Sequence, residues 1–172
     1  MVRQNSETEP MRKRLAATFV AVCAATTVVA ADLIQPSGPA QQPVQWKVTV
    51  VPADAKAGDN VEIVFDADIT HGWILYSSDF NLEIGPRPAK FAFDANTGVT
   101  PVGDIQPVKP QWKTDKTLGG KYSYFAQHAQ FRQKARLDTA PGSASGRITG
   151  QTCFEESGLC QLFRETFSTT KP

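Results

Sequence analysis

Hydrophobic and polar residues alternate in several segments of the chain, with the two-residue period of half-buried β-strands. In VEIVFDADI, residues 61–69, apolar side chains fall on one face and acidic side chains on the other. In AQFRQKARL, residues 129–137, apolar residues alternate with basic and polar ones. Five further runs are alternating or apolar enough to predict strands: QWKVTVV, HGWILYSSDF, PRPAKFAF, GRITGQT and LFRETFS.

Turn-forming residues separate these runs, and no segment has a long helical period with caps. The stretch from Asn96 to Lys113 contains three prolines and is predicted to be a loop. Short strands that recur with Gly, Pro and Asp between them are typical of an antiparallel β-sandwich. We therefore expect an all-β, immunoglobulin-like sandwich that forms a single domain over residues 46–168.

The N-terminal region has the pattern of a secretory signal peptide, assigned to residues 1–31. A basic cluster after Met11 precedes the uncharged, apolar or small residues 15–29, and small residues follow at the expected cleavage site. Met11 is an alternative start. An uncleaved anchor and a lipoprotein linked through Cys23 are the competing interpretations.

The remaining boundaries follow from composition. Residues 32–45 are rich in Pro, Gln, Ser and Gly and predict a flexible leader. Residues 169–172 form a short tail. No second apolar run reaches membrane-spanning length. The mature chain is expected to be soluble, with a periplasmic location.

Charge argues against nucleic acid and anionic membranes as partners. Loss of residues 1–30 removes four of the 18 basic and two of the 17 acidic residues, which leaves 14 and 15. A chain with so little net charge has no strong basic field.

The two cysteines of the mature chain lie close together in QTCFEESGLCQLF. Six residues separate Cys153 from Cys160, and the flanking runs predict two adjacent strands joined by a short turn, with Gly158 giving the backbone room to reverse. An even cysteine count in an exported chain indicates a disulfide. Its role stays open at this point between redox exchange, a structural staple and a metal site.

The other chemistry-bearing residues give weaker signals. His71 and His128 are interpreted as a turn residue and a strand-end residue, and a metal site would have to recruit both. No hydrolase or phosphate-binding motif occurs. Glu155 and Glu156 are interpreted as solvated loop charges whose negative field raises the thiol pKa.

Several of these segments, in order, resemble a known family. They are WKVTVVPADAKAGDNVEIVFDADITHGWILYSSDF, GPRPAKFAF, YFAQHAQFRQKARL and GRITGQTCFEESGLC. Together they resemble the N-terminal periplasmic domain of the thiol:disulfide interchange protein DsbD, in its disulfide bond corrector-type form. The resemblance covers roughly residues 45 to 168.

The resemblance implies a reversible disulfide that relays electrons, with Cys160 forming the mixed disulfide with partners and Cys153 resolving it. It implies that Tyr76 matches an aromatic residue of the family that lies near the cysteine pair. It also implies that Asp115–Tyr122 form a cap loop, with Leu118 at its tip where the family usually has phenylalanine. Asp115, Leu118 and Tyr122 are thus expected around the cysteines.

The implied partners are a thioredoxin-like or membrane thiol reductase on one side and periplasmic thiol-disulfide proteins, including cytochrome c maturation factors, on the other. No cofactor is expected. Gln161 and Leu162 stand where the family often has prolines. The family's transmembrane and thioredoxin-like domains do not occur in the 172 residues, so a separate membrane partner is expected.

A second hypothesis is a non-enzymatic immunoglobulin-like module that binds a protein partner and keeps the disulfide as a local brace. Under it, large apolar residues would be contact residues rather than core residues: Trp73, Phe80, Trp112 and Leu118.

Overall fold

The computed structural model describes residues 42–139 and 142–169. Their eleven strands, numbered in chain order, are β1 Val44–Val51, β2 Asn60–Ile69, β3 Trp73–Tyr76, β4 Lys90–Phe93, β5 Val99–Pro101, β6 Gln106–Pro107, β7 Gln111–Asp115, β8 Gly120–Ala126, β9 His128–Leu137, β10 Ser145–Phe154 and β11 Cys160–Ser168. The predicted signal peptide, Cys23 and most of the predicted leader and tail lie outside the described residues. Within these residues, no helix is long and apolar enough to cross a membrane.

The strands form two antiparallel sheets. Sheet A has the order β1-β2-β9-β5, with β6 also beside β9. Sheet B has the order β11-β10-β3-β8-β7, with β4 also beside β10. The predicted all-β, immunoglobulin-like sandwich is confirmed. β1 begins at Val44, two residues before the predicted start of the domain.

The core lies between the sheets and follows the alternation in the sequence. In β2, Ile63, Phe65 and Ala67 are fully buried. In β9, the predicted inward residues are buried and the basic residues between them are exposed. Aromatic rings from both sheets meet in this core, with Phe65 and Phe131 of sheet A at ring-centroid distances of 4.8 and 5.0 Å from Phe91 of sheet B.

The prediction of a continuous loop from Asn96 to Lys113 is wrong. This stretch contains β5, β6 and the first residues of β7. β5 and β6 pair with β9 at an edge of sheet A and end at Pro101 and Pro107. Proline has no N–H to donate, so it is tolerated on an edge strand where one side has no partner. The prolines therefore did not prevent pairing.

Two features of sheet B prepare the site. β3 and β4 pair with different ends of the same edge of β10, so they share one strand position. Between them, residues 77–89 leave the sheet and return, and the amide of Ala89 donates to the carbonyl of Ser77 at 3.0 Å. This excursion, called the covering loop below, crosses the outer face of sheet B.

Candidate functional site: a disulfide on the outer face of sheet B

The two cysteines lie directly opposite each other on adjacent strands. Cys153 is near the end of β10 and Cys160 begins β11, and they are register partners. Their Cα atoms are 4.0 Å apart, and their sulfur atoms form a disulfide. This separation suits the closer, non-hydrogen-bonded type of antiparallel pair, in which facing side chains approach most closely. The predicted arrangement of two strands joined by a short turn is confirmed.

The connection between the cysteines is a tight, hydrogen-bonded turn. The amide of Phe154 donates to the carbonyl of Leu159 at 2.8 Å, and that of Gly158 donates to the carbonyl of Phe154 at 2.9 Å. Gly158 has φ 69°, a conformation that glycine adopts without strain. The amide of Glu155 also donates to the carbonyl of Gly72 at 2.8 Å, which ties the turn to the start of β3.

The disulfide lies outside the core between the sheets. Successive residues of a strand point to opposite faces, and the fully buried Ile148 and Thr152 of β10 point inward. Cys153 therefore points to the outer face of sheet B. There it belongs to a second apolar cluster, separate from the main core. Its buried members are Ile74, Tyr76, Phe80, Tyr122 and Cys153, and Leu82, Leu118, Tyr124 and Ala126 are partly buried against it.

The two sulfur-bearing residues differ in access. Cys153 is 5% exposed, whereas Cys160 lies at the surface. Cys160 Sγ is 3.4 Å from the carbonyl oxygen of Gly158. Cys160 is therefore the more accessible end of the disulfide, and neighbouring side chains cover Cys153.

Three aromatic rings pack against one another in this cluster. The ring centroids of Tyr76 and Tyr122 are 5.5 Å apart, and Phe80 lies 6.3 Å from Tyr76 and 6.2 Å from Tyr122. Separations of this kind are favourable for aromatic pairs. The rings pack beside Cys153 and exclude water from it.

Burial and negative charge together keep Tyr76 protonated. Burial, followed by Tyr122, Asp115 and Glu155, raises the pKa of Tyr76 from 10.0 to about 12. Every one of these causes disfavours an anion in this part of the cluster. Cys153 belongs to the same cluster.

The predicted cap loop is the tip of the β7–β8 hairpin. Asp115 Oδ1 accepts hydrogen bonds from the amides of Thr117 at 2.9 Å and Leu118 at 3.1 Å, an arrangement that orders the turn. Gly119, with φ 70°, completes the reversal. The turn presents Leu118 to the outer-face cluster.

The covering loop is a second cover over the cluster, and it packs against the tip of the cap loop. Phe80 and Leu82 belong to the outer-face cluster. A Cβ atom placed on Gly120 would collide with Leu82, and one on Gly85 would lie 3.4 Å from Leu118 Cδ1. The two covers therefore contact each other above the cluster.

Gln151 connects the covering loop to the disulfide. Its Oε1 accepts a hydrogen bond from the amide of Arg87 at 2.9 Å. Its Nε2 lies 3.6 Å from Cys153 Sγ and donates to it. The side chain of Gln151 thus contacts both the covering loop and the sulfur of Cys153.

The structure brings most of the sequence-predicted site residues together. Tyr76, Leu118 and Tyr122 pack in one cluster with Cys153. Asp115 lies beside the cluster and orders the cap turn.

The covering loop with Leu82, and the contact of Gln151, were not predicted from the sequence, and Phe80 was considered only as a contact residue of a binding module. The apolar pair in SSDFNLEIGP was a signal for the first. Gln151 had only its position two residues before Cys153, on the same face.

Other predicted residues lie apart from this site. Trp73 packs against the main core, and Trp112 is 54% exposed on β7. His71 lies in a turn, and His128 begins β9, as predicted. Its Nδ1 lies 3.3 Å from Asp68 Oδ1. In the part of the chain that the structure describes, no group of three or more His, Cys, Asp or Glu residues is arranged to hold a metal ion.

Comparison with known families gives one match over most of the chain. The model of the family described as "Thiol:disulfide interchange protein DsbD, N-terminal" matches residues 40–172. The chain belongs to the DsbD N-terminal domain family. A comparison with curated protein sequences gives no match. The resemblance seen in the sequence is confirmed.

Three solved structures are similar to this chain at low identity. The reduced DsbD N-terminal domain of Neisseria meningitidis has 19% identity and a TM-score of 0.44, with 73% of this chain and 85% of that chain covered. The N-terminal periplasmic domain of ScsB from Proteus mirabilis has 17% identity and a TM-score of 0.47, with 76% and 47% covered. A complex between the DsbD N-terminal and PilB N-terminal domains of Neisseria meningitidis has 15% identity and a TM-score of 0.48, with 80% and 91% covered.

Proposed function

We propose that this chain is a thiol-disulfide exchange domain of the periplasm, in which Cys153 and Cys160 alternate between disulfide and dithiol. Residues 1–31 would direct export, residues 32–45 would link the export site to the domain, and residues 46–168 would carry out exchange. The observation that carries the proposal is the unequal access of the two sulfur atoms. An exposed Cys160 bonded to a buried Cys153 suits attack by a partner at one defined sulfur.

The exchange balances without a cofactor, because the electron pairs move between sulfur atoms. A partner thiolate attacks Cys160 Sγ, the bond between the two cysteines breaks, and its electron pair leaves on Cys153 as a thiolate. The other thiolate of the same partner then attacks the partner's sulfur in the mixed disulfide. The partner leaves oxidised, and Cys160 becomes a thiolate.

The reduced domain passes these electrons on by the reverse steps. Cys160 attacks the disulfide of a downstream protein and forms a mixed disulfide. Cys153 then attacks Cys160 Sγ, and the downstream protein leaves as a dithiol. The expected donors are thioredoxin-like or membrane thiol reductases. The expected acceptors are periplasmic thiol-disulfide proteins, including those of cytochrome c maturation.

The position of the disulfide argues against a purely structural role. β10 and β11 already pair from Ser145 opposite Ser168 as far as the cysteines themselves. Closing so short a loop lowers the conformational entropy of the unfolded chain, which stabilises the folded state by only about 2.5 kcal/mol. The bond also lies outside the core between the sheets, so it does not join the two layers.

The two covers fit a domain that carries reactive thiols through an oxidising compartment. Leu118 of the cap and Phe80 of the covering loop shield the cluster around Cys153. A reduced pair that stood open would react with unintended oxidants. Covers that move when a partner docks restrict exchange to the right encounters.

The reduction potential of the mature chain tests the proposal. Equilibration in thiol-disulfide buffers should give a value between about −180 and −270 mV, the range of exchange proteins. A value below about −300 mV, which is typical of structural disulfides, would contradict the proposal.

That second result would favour the binding-module hypothesis. The observation in its support is Trp112, which is large, aromatic and 54% exposed on an edge strand. Aromatic residues of this kind are enriched at protein interfaces. Substitution Trp112→Ala should then abolish capture of the partner and leave the reduction potential unchanged.

A further inference from the structure

We propose that the side-chain amide of Gln151 stabilises the thiolate that Cys153 becomes when Cys160 is attacked. This inference rests on the proposed function, because it concerns the leaving sulfur of the exchange step. Gln151 would donate a hydrogen bond from Nε2 to that sulfur. It would thereby lower the pKa of the Cys153 thiol and speed cleavage of the disulfide.

The position of Gln151 follows from the strand. Residues two apart on a strand share a face, so Gln151 and Cys153 both point to the outer side of sheet B. The Nε2–Sγ distance is 3.6 Å, within the range of hydrogen bonds to sulfur. In the part of the chain that the structure describes, it is the one side-chain donor to Cys153 Sγ.

The backbone of the covering loop fixes the orientation of this amide. The N–H of Arg87 can only donate, so the group 2.9 Å from it must be the Gln151 oxygen. The NH₂ group therefore lies on the other side, toward Cys153. A free glutamine could rotate its amide oxygen toward the sulfur, which would repel a thiolate, and the bond to Arg87 prevents this.

The surroundings of Cys153 explain why such a donor would have an effect. The neighbouring strands contribute phenols and apolar groups to the cluster, and carboxylates lie near it. The titratable groups around the cluster are Tyr76, Tyr122 and Tyr124, Asp115 on the cap turn, Glu155 on the cysteine turn, and Cys160 itself. The covering loop also carries Glu83 and Arg87, and Lys113 of β7 lies opposite Tyr122. Burial and nearby negative charge both disfavour a thiolate. An N–H directed at the sulfur opposes them.

The test is the pKa of a single thiol. In a Cys160→Ala background, only Cys153 of the mature chain titrates as a thiol, and the ultraviolet absorbance of its thiolate can be followed against pH. Gln151→Leu should raise this pKa by about one unit, a tenfold loss of thiolate. In the chain with both cysteines, the same substitution should slow reduction by dithiothreitol several-fold, because a thiol of higher pKa is a poorer leaving group.

Two further variants separate the loss of the hydrogen-bond donor from the effect of an added negative charge. Gln151→Glu keeps an acceptor for the amide of Arg87 but removes the donor and adds a negative charge. Leu162→Glu adds the same charge on the residue opposite Gln151 and keeps the amide. The proposal predicts a clearly larger rise in pKa for Gln151→Glu than for Leu162→Glu.

Two results would overturn the inference: an unchanged pKa in folded Gln151→Leu, or equal rises in the two glutamate variants. Circular dichroism establishes that each variant is folded. No partner protein is needed for these measurements. They can therefore fail while the reduction potential still supports exchange, and they can succeed when the potential does not.

Discussion

The side chain of Leu82 lies directly over the backbone of Gly120, where any Cβ atom would collide with it. Leu82 belongs to the covering loop and Gly120 begins β8, immediately after the cap turn. The absence of a side chain on Gly120 therefore lets Leu82 of one cover approach the backbone beside the other. The close approach makes them one layer over the outer-face cluster.

We predict that Gly120→Ala loosens this layer. The added methyl group would push Leu82 aside, and dithiothreitol should then reduce the disulfide several-fold faster because the attacking thiolate gains access. Stopped-flow or quenched reduction assays measure this rate. Leu82→Ala should also accelerate reduction, and Gly120→Ala should add little in that background, since the methyl group then fits. Additive effects of the two substitutions would contradict a contact through Leu82.

We predict that a Cys153→Ala variant retains partners as mixed disulfides. Without Cys153, nothing in the domain can attack Cys160 Sγ and release the bound protein. Non-reducing gels and mass spectrometry of envelope extracts would detect complexes that disappear on reduction. Cys160→Ala is the matched control and should trap far less, because Cys153 is only 5% exposed. Equal trapping by both variants would contradict the assigned roles.

We predict that Tyr76 makes the domain less stable in strong alkali. Its pKa is raised from 10.0 to about 12, so the unfolded chain loses this proton at a lower pH than the folded chain does. The folded state then binds more protons, and the free energy of unfolding falls as pH rises from 10.0 toward about 12. The stabilising contribution is complete below pH 10.0.

Urea unfolding at several alkaline pH values would measure this decline. Tyr76→Phe removes the titrating group and keeps the ring, so its stability should fall less steeply over the same range. Parallel curves for the two proteins would show that the phenol of Tyr76 is not responsible.

We predict that Asp115 orders the cap and that charge is the smaller part of its effect. Asp115→Ala removes the acceptor for the amides of Thr117 and Leu118, at a cost of about 1 kcal/mol in the free energy of unfolding. The freed tip should let dithiothreitol reach the disulfide faster. Asp115→Asn keeps an acceptor oxygen and removes the charge, so its reduction rate should stay closer to that of the unchanged protein. A larger change in reduction rate for Asp115→Asn than for Asp115→Ala would contradict this explanation.

Much of the fold could be predicted because each long strand carries its own alternation. The apolar and polar faces of β2 and β9 can be assigned from neighbouring residues alone, and both are as expected. The short strands β5 and β6 could not be predicted in this way. Their pairing depends on β9, which lies about 30 residues further along the chain, and the prolines in them indicated a loop.

The site was predicted in part for the same reason. The cysteine turn is local, so spacing and Gly158 were enough to suggest a cross-strand pair. The roles of Tyr76 and of the cap came from the resemblance to the family, and the structure places these residues beside Cys153. Leu82 was signalled only by its spacing from Phe80, and Gln151 only by its position two residues before Cys153. Neither pattern identifies the distant segment that the residue contacts.

The sequence by itself determined the strand periods, the sandwich class and the proximity of Cys153 to Cys160, since these depend on residues close together along the chain. Only the tertiary structure decided that Cys153 faces away from the main core, beneath two covers, and that Gln151 meets Arg87, 64 residues away. Alternation separates two faces of a strand but does not say which distant segment will cover the outer one. That choice depends on packing between residues far apart in sequence, and here it sets the access and the charge environment of the disulfide.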